Sequence, residues 1–113
     1  MYKKAFHYIV KHEDDIKKML VFTQCPLVEK FAYVKHDNYS GQCSHYHFYF
    51  VVKCKSLDVI LSELTGVNGC FLSDVPKKEG LLLQYFLREV AGDVPDMRIF
   101  KTNIEGFKKY NAV

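Results

Sequence analysis

The chain has 113 residues, of which 49% are hydrophobic, and this is enough for one domain that buries its own core without disulfide staples. No apolar run approaches the roughly 20 residues that cross a bilayer, and the absence of an apolar leader favours an intracellular protein whose four cysteines are free thiols. These cysteines have no Cys-x-x-Cys spacing, which argues against a zinc knuckle. A net charge of +3 is compatible with a nucleic-acid partner but does not require one.

The residue pattern predicts elements in the order β-α-β-β-α-β-α-β. We expect strands over 5–11, 29–37, 44–52, 70–75 and 96–102, and helices over 12–22, 56–65 and 76–90. Pro26 blocks continuation of the first helix, Ser56 and Gly66 bound the second, and Pro76 and Gly92 bound the third. The predicted fold class is α+β, an antiparallel central sheet of about five strands with helices packed on it. Its core is a split β-α-β unit of the RRM-like or ferredoxin-like kind.

The third strand carries the most informative pattern, His45-Tyr46-His47. Because a strand has a period of two residues, both histidines project from one face, and Tyr49 follows them there. The opposite face is almost entirely apolar and suits a core, with Tyr46, Phe48, Phe50, Val52 and Cys54. Two imidazoles at this spacing can hold one metal ion. On their own, two histidines on a strand are more often surface residues than ligands, so the rest of the chain has to decide.

The third helix places Tyr85 off its apolar stripe. That stripe consists of Leu83, Phe86, Leu87 and Val90. Tyr85 instead shares a face with Arg88, three residues on, where a phenol and a guanidinium can meet a phosphate. A single tyrosine in this position is more often an amphipathic residue at the edge of a core. The functional interpretation of Tyr85 therefore rests on the family resemblance described next.

A strand with His-hydrophobe-His, followed about forty residues later by a tyrosine on a helix, resembles the signature of the HUH endonucleases, the rolling-circle replication initiators. His45-Tyr46-His47 and Tyr85 carry the resemblance, and the order and lengths of the elements are also similar. The chain is most similar to the Rep proteins of circoviruses and geminiviruses, and less to parvovirus initiators. Arg88 stands where the family has a lysine, and the first strand lacks the polar pair that ends the family's first motif.

The resemblance implies metal-dependent, sequence-specific nicking and rejoining of single-stranded DNA through a 5′-phosphotyrosine. His45 and His47 would bind Mn²⁺ or Mg²⁺, Tyr85 would be the nucleophile, and Arg88 would supply charge but no proton. It also implies a third ligand near the end of the second strand. The spacing favours His36, whereas the preference of hard cations for oxygen favours Asp37, which we weigh slightly higher.

Further residues are expected to contact the DNA. Tyr49, on the face of the histidines, would stack a base or brace a ligand, and Lys77, Lys78 and Lys101 would line a DNA path. Tyr110 is an alternative nucleophile, because single-tyrosine transposases of this superfamily place theirs far downstream.

Family membership would make residues 1–113 the origin-binding nuclease domain of a viral initiator that acts on single-stranded DNA and an origin stem-loop in the host nucleus. Such initiators commonly carry a helicase domain, through which this protein could oligomerise. No P-loop occurs here, so we expect a fragment or a minimal Rep. The alternative from another class is a non-catalytic nucleic-acid-binding module of the RRM type, because the stretch 47–51 resembles an aromatic RNA-binding strand.

Overall fold

The five strands form one antiparallel sheet, which confirms the predicted α+β class. The computed structural model describes residues 4–38, 44–53, 69–72, 79–89 and 92–111. The elements are β1 (Lys4–Val10), α1 (Glu13–Phe22), β2 (Val28–Asn38), β3 (His45–Val52), β4 (Gly69–Leu72), α2 (Glu79–Phe86), β5 (Asp93–Thr102) and a 3-10 helix (Lys108–Tyr110). The strand order is β4-β1-β3-β2-β5, with every neighbouring pair antiparallel.

The predicted strands agree with those observed to within a few residues, apart from the start of β5. It begins at Asp93 rather than Asp96, because Asp93, Val94 and Pro95 all pair with the end of β2. Pro95 is tolerated there since β5 is an edge strand and needs to donate hydrogen bonds on one side only. The predicted helix over 56–65 and positions 73–78 lie outside the described residues.

Helix α2 ends at Phe86, four residues before its predicted end. The carbonyl oxygen of Phe86 lies 3.0 Å from Nε2 of the His36 ring. A side-chain donor therefore satisfies this carbonyl at the helix end. This contact joins the last turn of α2 to a histidine of β2. It is a tertiary contact, so the helical periodicity of the sequence could not predict it.

The two faces of the sheet each bury a separate core. On one face, here called the α1 face, Met19 and Phe22 of α1 pack on aromatic and aliphatic side chains of β1 and β3, namely Phe6, Tyr8, Val10, Phe48, Phe50 and Val52. On the other face, here called the histidine face, Leu83 and Phe86 of α2 pack with Ala5, Ala32, Val34, Tyr49, Val51 and Phe100. The central strand β3 is therefore buried on both sides over most of its length.

Tyr49 and Glu79 fasten α2 to the histidine face. The Tyr49 hydroxyl donates a 2.7 Å hydrogen bond to Glu79 Oε2, and Lys30 Nζ lies 3.3 Å from Glu79 Oε1. Burial and the bond to Glu79 raise the pKa of Tyr49. The first turn of α2 is thus tied to both β3 and β2, and this contact helps to set where Tyr85 lies.

We expect Tyr49→Phe to lower the free energy of unfolding by about 1–2 kcal/mol, because Glu79 loses a buried hydrogen-bond donor. Urea unfolding followed by circular dichroism measures this change. Tyr110→Phe is the matched control: Tyr110 is exposed, so its change should stay within about 0.5 kcal/mol. Equal stability of the two variants would contradict an anchoring role for the Tyr49 hydroxyl.

Candidate metal centre

Three histidines from two neighbouring strands converge on the histidine face. His45 and His47 are two residues apart on β3, and His36 pairs directly with His45 across β2 and β3. Residues that pair directly share a face, so the parity of the two strands brings all three rings together. One ligand atom from each of the three lies within 4.8 Å of those of the other two. This is the separation at which three side chains can bind one metal ion.

His36 has a ring nitrogen that suits a metal ion and has no other described use. Its Nε2 lies 3.0 Å from the carbonyl oxygen of Phe86, which can only accept, so Nε2 carries the proton. Its Nδ1 is then an unprotonated acceptor. This atom is buried and has no hydrogen-bond partner among the described residues. A buried lone pair without a partner is costly, and a metal ion in the triad would satisfy it.

The other two histidines of the triad face each other directly. His45 Nε2 and His47 Nε2 are 3.1 Å apart, and His45 Nε2 also lies 3.5 Å from Asp93 Oδ2. Asp93 adds a negative charge beside the triad, which favours a cation there. The residues present therefore fit a divalent metal ion, with three imidazole nitrogens as ligands and a carboxylate close by.

Asp37, which hard-cation chemistry favoured as the third ligand, is not in this group. It follows His36 on β2, so its side chain lies on the opposite face. There it accepts a 2.8 Å hydrogen bond from the Ser44 hydroxyl and lies 3.5 Å from Lys35 Nζ. The alternation of β2 puts Asp37 and His36 on opposite faces, and the pairing of His36 with His45 puts His36 on the face of His45 and His47.

Burial favours the neutral form of three histidines on this face, His7, His36 and His47. Burial, followed by repulsion from His36, His7 and His45, lowers the pKa of His47 to about 3. Burial lowers the pKa of His7 to about 4 and also lowers that of His36. A neutral imidazole keeps the lone pair that a metal ion requires, so His36 and His47 can each offer a nitrogen to a metal ion at neutral pH.

These lowered pKa values predict that the metal-free protein loses stability in mild acid. The unfolded chain takes up protons below the ordinary histidine pKa of about 6.5, whereas the folded chain resists until about pH 4 or below. The stability is therefore complete above about pH 6.5 and falls as the pH decreases, by up to about 1.4 kcal/mol per pH unit for each histidine.

Urea unfolding in the presence of a chelator at about pH 7, 6 and 5 tests this expectation, since most carboxylates titrate below that range. His7→Gln carries one fewer of these histidines and should lose less stability over the same interval. Equal stability of the wild-type protein at the two ends of this interval would contradict the expectation.

Tyr85 packs against the triad from α2. Its ring centroid is 5.7 Å from that of His47 and 6.3 Å from that of His36, and the residue is half-buried. Arg88 follows the end of α2 and is exposed. The structure therefore brings Tyr85 together with the histidines that share its predicted site.

The predicted DNA-contacting residues fall in different places. Tyr49 is fully buried beneath α2, so its ring has no surface on which a base could stack, and the expectation of base stacking was wrong. Lys101 is exposed but pairs with Tyr33, whose ring packs on the α1 face, so Lys101 lies on the side of the sheet away from the histidines. Lys77 and Lys78 lie outside the described residues.

The alternative nucleophile, Tyr110, lies on the 3-10 helix. Its ring packs near Phe100 and Phe107, and Lys109 Nζ is 5.3 Å from its centroid. Among the described residues, Tyr85 is the tyrosine whose ring contacts histidines of the triad, His36 and His47.

Two neighbours of the triad were not predicted as site residues. His7, on β1, lies on the histidine face beside His47, and Asp93 lies beside His45. The period of β1 places His7 with Ala5 and Ile9 on one face, but the pairing of β1 with β3 is needed to see which residue it meets. Asp93 was missed because the predicted fifth strand began three residues later.

An RRM-type module would need exposed aromatic rings on one sheet face. The rings of Phe48, Tyr49 and Phe50 on β3 are all fully buried, two under α1 and one under α2.

In the described ranges, neither helix is long and apolar enough to cross a membrane. Cys25, whose side chain is described, is a free thiol. Comparisons with protein-family models, curated proteins and solved structures find no match to this chain.

Proposed function

We propose that this protein is a metal-dependent nuclease of the HUH type that nicks and rejoins single-stranded DNA, with Tyr85 as its nucleophile. The observation that carries the proposal is the packing of Tyr85 against a triad of histidines that fits a metal ion. The carbonyl of Phe86, the next residue, bonds to His36, so the helix that holds the tyrosine also orients a ligand. Nucleophile and ligands thus belong to one packed unit.

In the proposed step, Tyr85 Oη attacks the phosphorus of a phosphodiester. A bond from Oη to phosphorus forms, and the bond from phosphorus to the 3′ oxygen breaks. The phenol proton leaves to solvent, and the 3′ oxygen takes a proton from solvent to become a hydroxyl. The phosphodiester energy is kept in the 5′-phosphotyrosine, so that the reverse reaction rejoins the strand without a nucleotide cofactor.

His36, His45 and His47 would hold the metal ion. When bound, a divalent ion stabilises the negative charge that develops on the phosphate oxygens. A set of three imidazoles suits Mn²⁺ and other transition metals better than Mg²⁺, which prefers oxygen ligands, so Mn²⁺ is the stronger of the two predicted ions. The neutral state of the buried histidines supports this assignment.

Arg88 would attract the phosphate and would not transfer a proton, because a guanidinium stays charged in proteins. It is exposed just beyond the end of α2.

The biological setting that we propose follows from the resemblance alone: a viral replication initiator that binds single-stranded DNA and the stem-loop of an origin in the host nucleus. The buried aromatic rings of β3 disfavour the RRM alternative.

The test is a search for a covalent adduct. The protein is incubated in Mn²⁺ with a library of single-stranded oligonucleotides that carry a randomised loop on a fixed stem, and the products are separated on a denaturing gel. We expect a slowly migrating protein–DNA band that is absent when a chelator is added. Mass spectrometry of the digested band should locate the phosphodiester on Tyr85. If neither cleavage nor an adduct forms with Mn²⁺, Mg²⁺, Co²⁺ or Zn²⁺, the nuclease proposal is wrong.

A further inference from the structure

His7 lies in hydrogen-bond contact with one ligand of the triad. It is diagonal to His47 on the neighbouring strand, since His7 pairs with Tyr49 and His47 pairs with Ile9. His7 Nε2 is 3.0 Å from His47 Nδ1. The ring centroids are 5.2 Å apart and the ring planes differ by 21°, and the 3.0 Å contact joins one nitrogen of each ring.

The two nitrogens of His47 therefore have different partners. Nδ1 faces His7, whereas Nε2 faces His45 Nε2 at 3.1 Å. A neutral imidazole has a single N–H, so two proton arrangements satisfy both contacts. In the first, the proton of His47 is on Nδ1 and is donated to His7. In the second, it is on Nε2 and is donated to His45. The first alone leaves the His47 Nε2 lone pair directed at the triad.

We propose that His7 is a positioning residue for the metal centre: its Nε2 accepts the Nδ1 proton of His47 and holds that ring in the tautomer whose Nε2 binds the metal ion. This inference rests on the metal-binding part of the proposed function and goes beyond it. A hydrogen bond to the outer nitrogen of a ligating histidine fixes the ring and makes the ligating nitrogen more basic.

The surroundings of the pair support the assignment. The ring of Phe86 packs against both imidazoles, with centroid separations of 5.5 Å to His7 and 5.4 Å to His47. This contact limits rotation of either imidazole away from the contact between His7 Nε2 and His47 Nδ1. The same helix residue accepts the outer N–H of His36 through its carbonyl. Two of the three ligands are therefore oriented by an acceptor behind the ring.

The experiment compares His7→Gln with His7→Leu in two measurements. Gln places an amide oxygen near the position of Nε2 and can accept the His47 proton, whereas Leu has similar bulk and no acceptor. Mn²⁺ affinity and stoichiometry are measured by electron paramagnetic resonance of the free ion. The tautomer of His47 in the metal-free protein is read from ¹⁵N chemical shifts of the imidazole. Thermal unfolding of each variant shows whether it is folded.

We expect one Mn²⁺ per chain, a loss of affinity of about 10-fold to 100-fold in His7→Leu, and recovery to within a few-fold in His7→Gln. The His47 proton should be on Nδ1 in the wild-type protein and in His7→Gln. Any of these results would overturn the inference: a proton on Nε2 of His47 in the wild-type protein, equal affinity of folded His7→Leu and wild type, or equal loss in the Leu and Gln variants.

Mn²⁺ binding and the adduct assay together separate this inference from the nuclease proposal. A wild-type protein that binds Mn²⁺ and shows the expected His7 effects, but forms no DNA adduct, supports the role of His7 and contradicts the nuclease. A protein that forms the adduct with unchanged affinity in His7→Leu has the nuclease activity and lacks the proposed role of His7. Absence of Mn²⁺ binding by the wild-type protein would overturn the inference directly.

Discussion

Tyr85→Phe should abolish the covalent protein–DNA adduct while leaving Mn²⁺ affinity unchanged to within about twofold. The substitution removes only the attacking oxygen, so the ring that packs against His47 and His36 is kept. Because the reaction has no other nucleophile in the proposed mechanism, we expect a loss of adduct of at least about 1,000-fold. Quantitative denaturing gels with saturating Mn²⁺ measure the adduct, and electron paramagnetic resonance of free Mn²⁺ measures the affinity.

Tyr110→Phe is the matched control, because it removes the same atom from the alternative nucleophile on the 3-10 helix. It should form the adduct at the wild-type rate. The opposite pattern, with adduct kept in Tyr85→Phe and lost in Tyr110→Phe, would preserve the enzyme class and move the nucleophile to Tyr110. Such a result would also require the C-terminal segment to approach the triad, which is not how its described contacts with Phe100 and Phe107 place it.

The second large effect should come from His36→Gln, which we expect to weaken Mn²⁺ binding by about 100-fold or more. Losing a direct ligand should cost at least as much as losing an outer partner of one, for which about 10-fold to 100-fold is typical. Gln is chosen because its amide can still donate to the Phe86 carbonyl and fills similar space. The loss then reports the Nδ1 ligand rather than the docking of α2.

Asp37→Asn is the control for this experiment, since it neutralises the carboxylate that competed with His36 as the third ligand. Its side chain is on the α1 face, engaged with Ser44 and Lys35, so the Mn²⁺ affinity should change by no more than about twofold. A strong loss in Asp37→Asn together with normal binding in His36→Gln would show that the triad of imidazoles is not the metal site. Thermal unfolding of both variants checks that each is folded.

The sequence pattern alone could not decide between His36 and Asp37 as the third ligand. The alternation of β2 predicts that the two side chains lie on opposite faces. It does not say which of them shares the face of His45 and His47. That depends on the register between β2 and β3, in which His36 is directly opposite His45. The preference of hard cations for oxygen pointed to Asp37, but a ligand must first be on the correct side of the sheet.

The burial of Tyr49 was also beyond what the strand pattern could predict. Its parity correctly predicted the histidine face, yet burial under Leu83 and Phe86 of α2 leaves its ring inaccessible. A strand pattern identifies a face and cannot say what covers it, because the covering helix comes from thirty residues further along the chain. The same helix brings Tyr85 to the triad, and this contact was predicted only through the resemblance to the HUH family.

Local physics was enough to determine the strand character of β1, β2 and β3, the helix after β1, the two-faced alternation of β3 and the shared face of His45 and His47. Each of these follows from steric and hydrogen-bonding preferences that act over a few residues. The tertiary structure alone decided that His36 completes the triad, that the Phe86 carbonyl and His7 orient its rings, and that Asp93 lies beside it. His36 meets His45 and His47 through the register of β2 and β3. The contacts of Phe86, His7 and Asp93 join residues about 40 to 50 positions apart, which only the packing of the sheet and α2 brings close together.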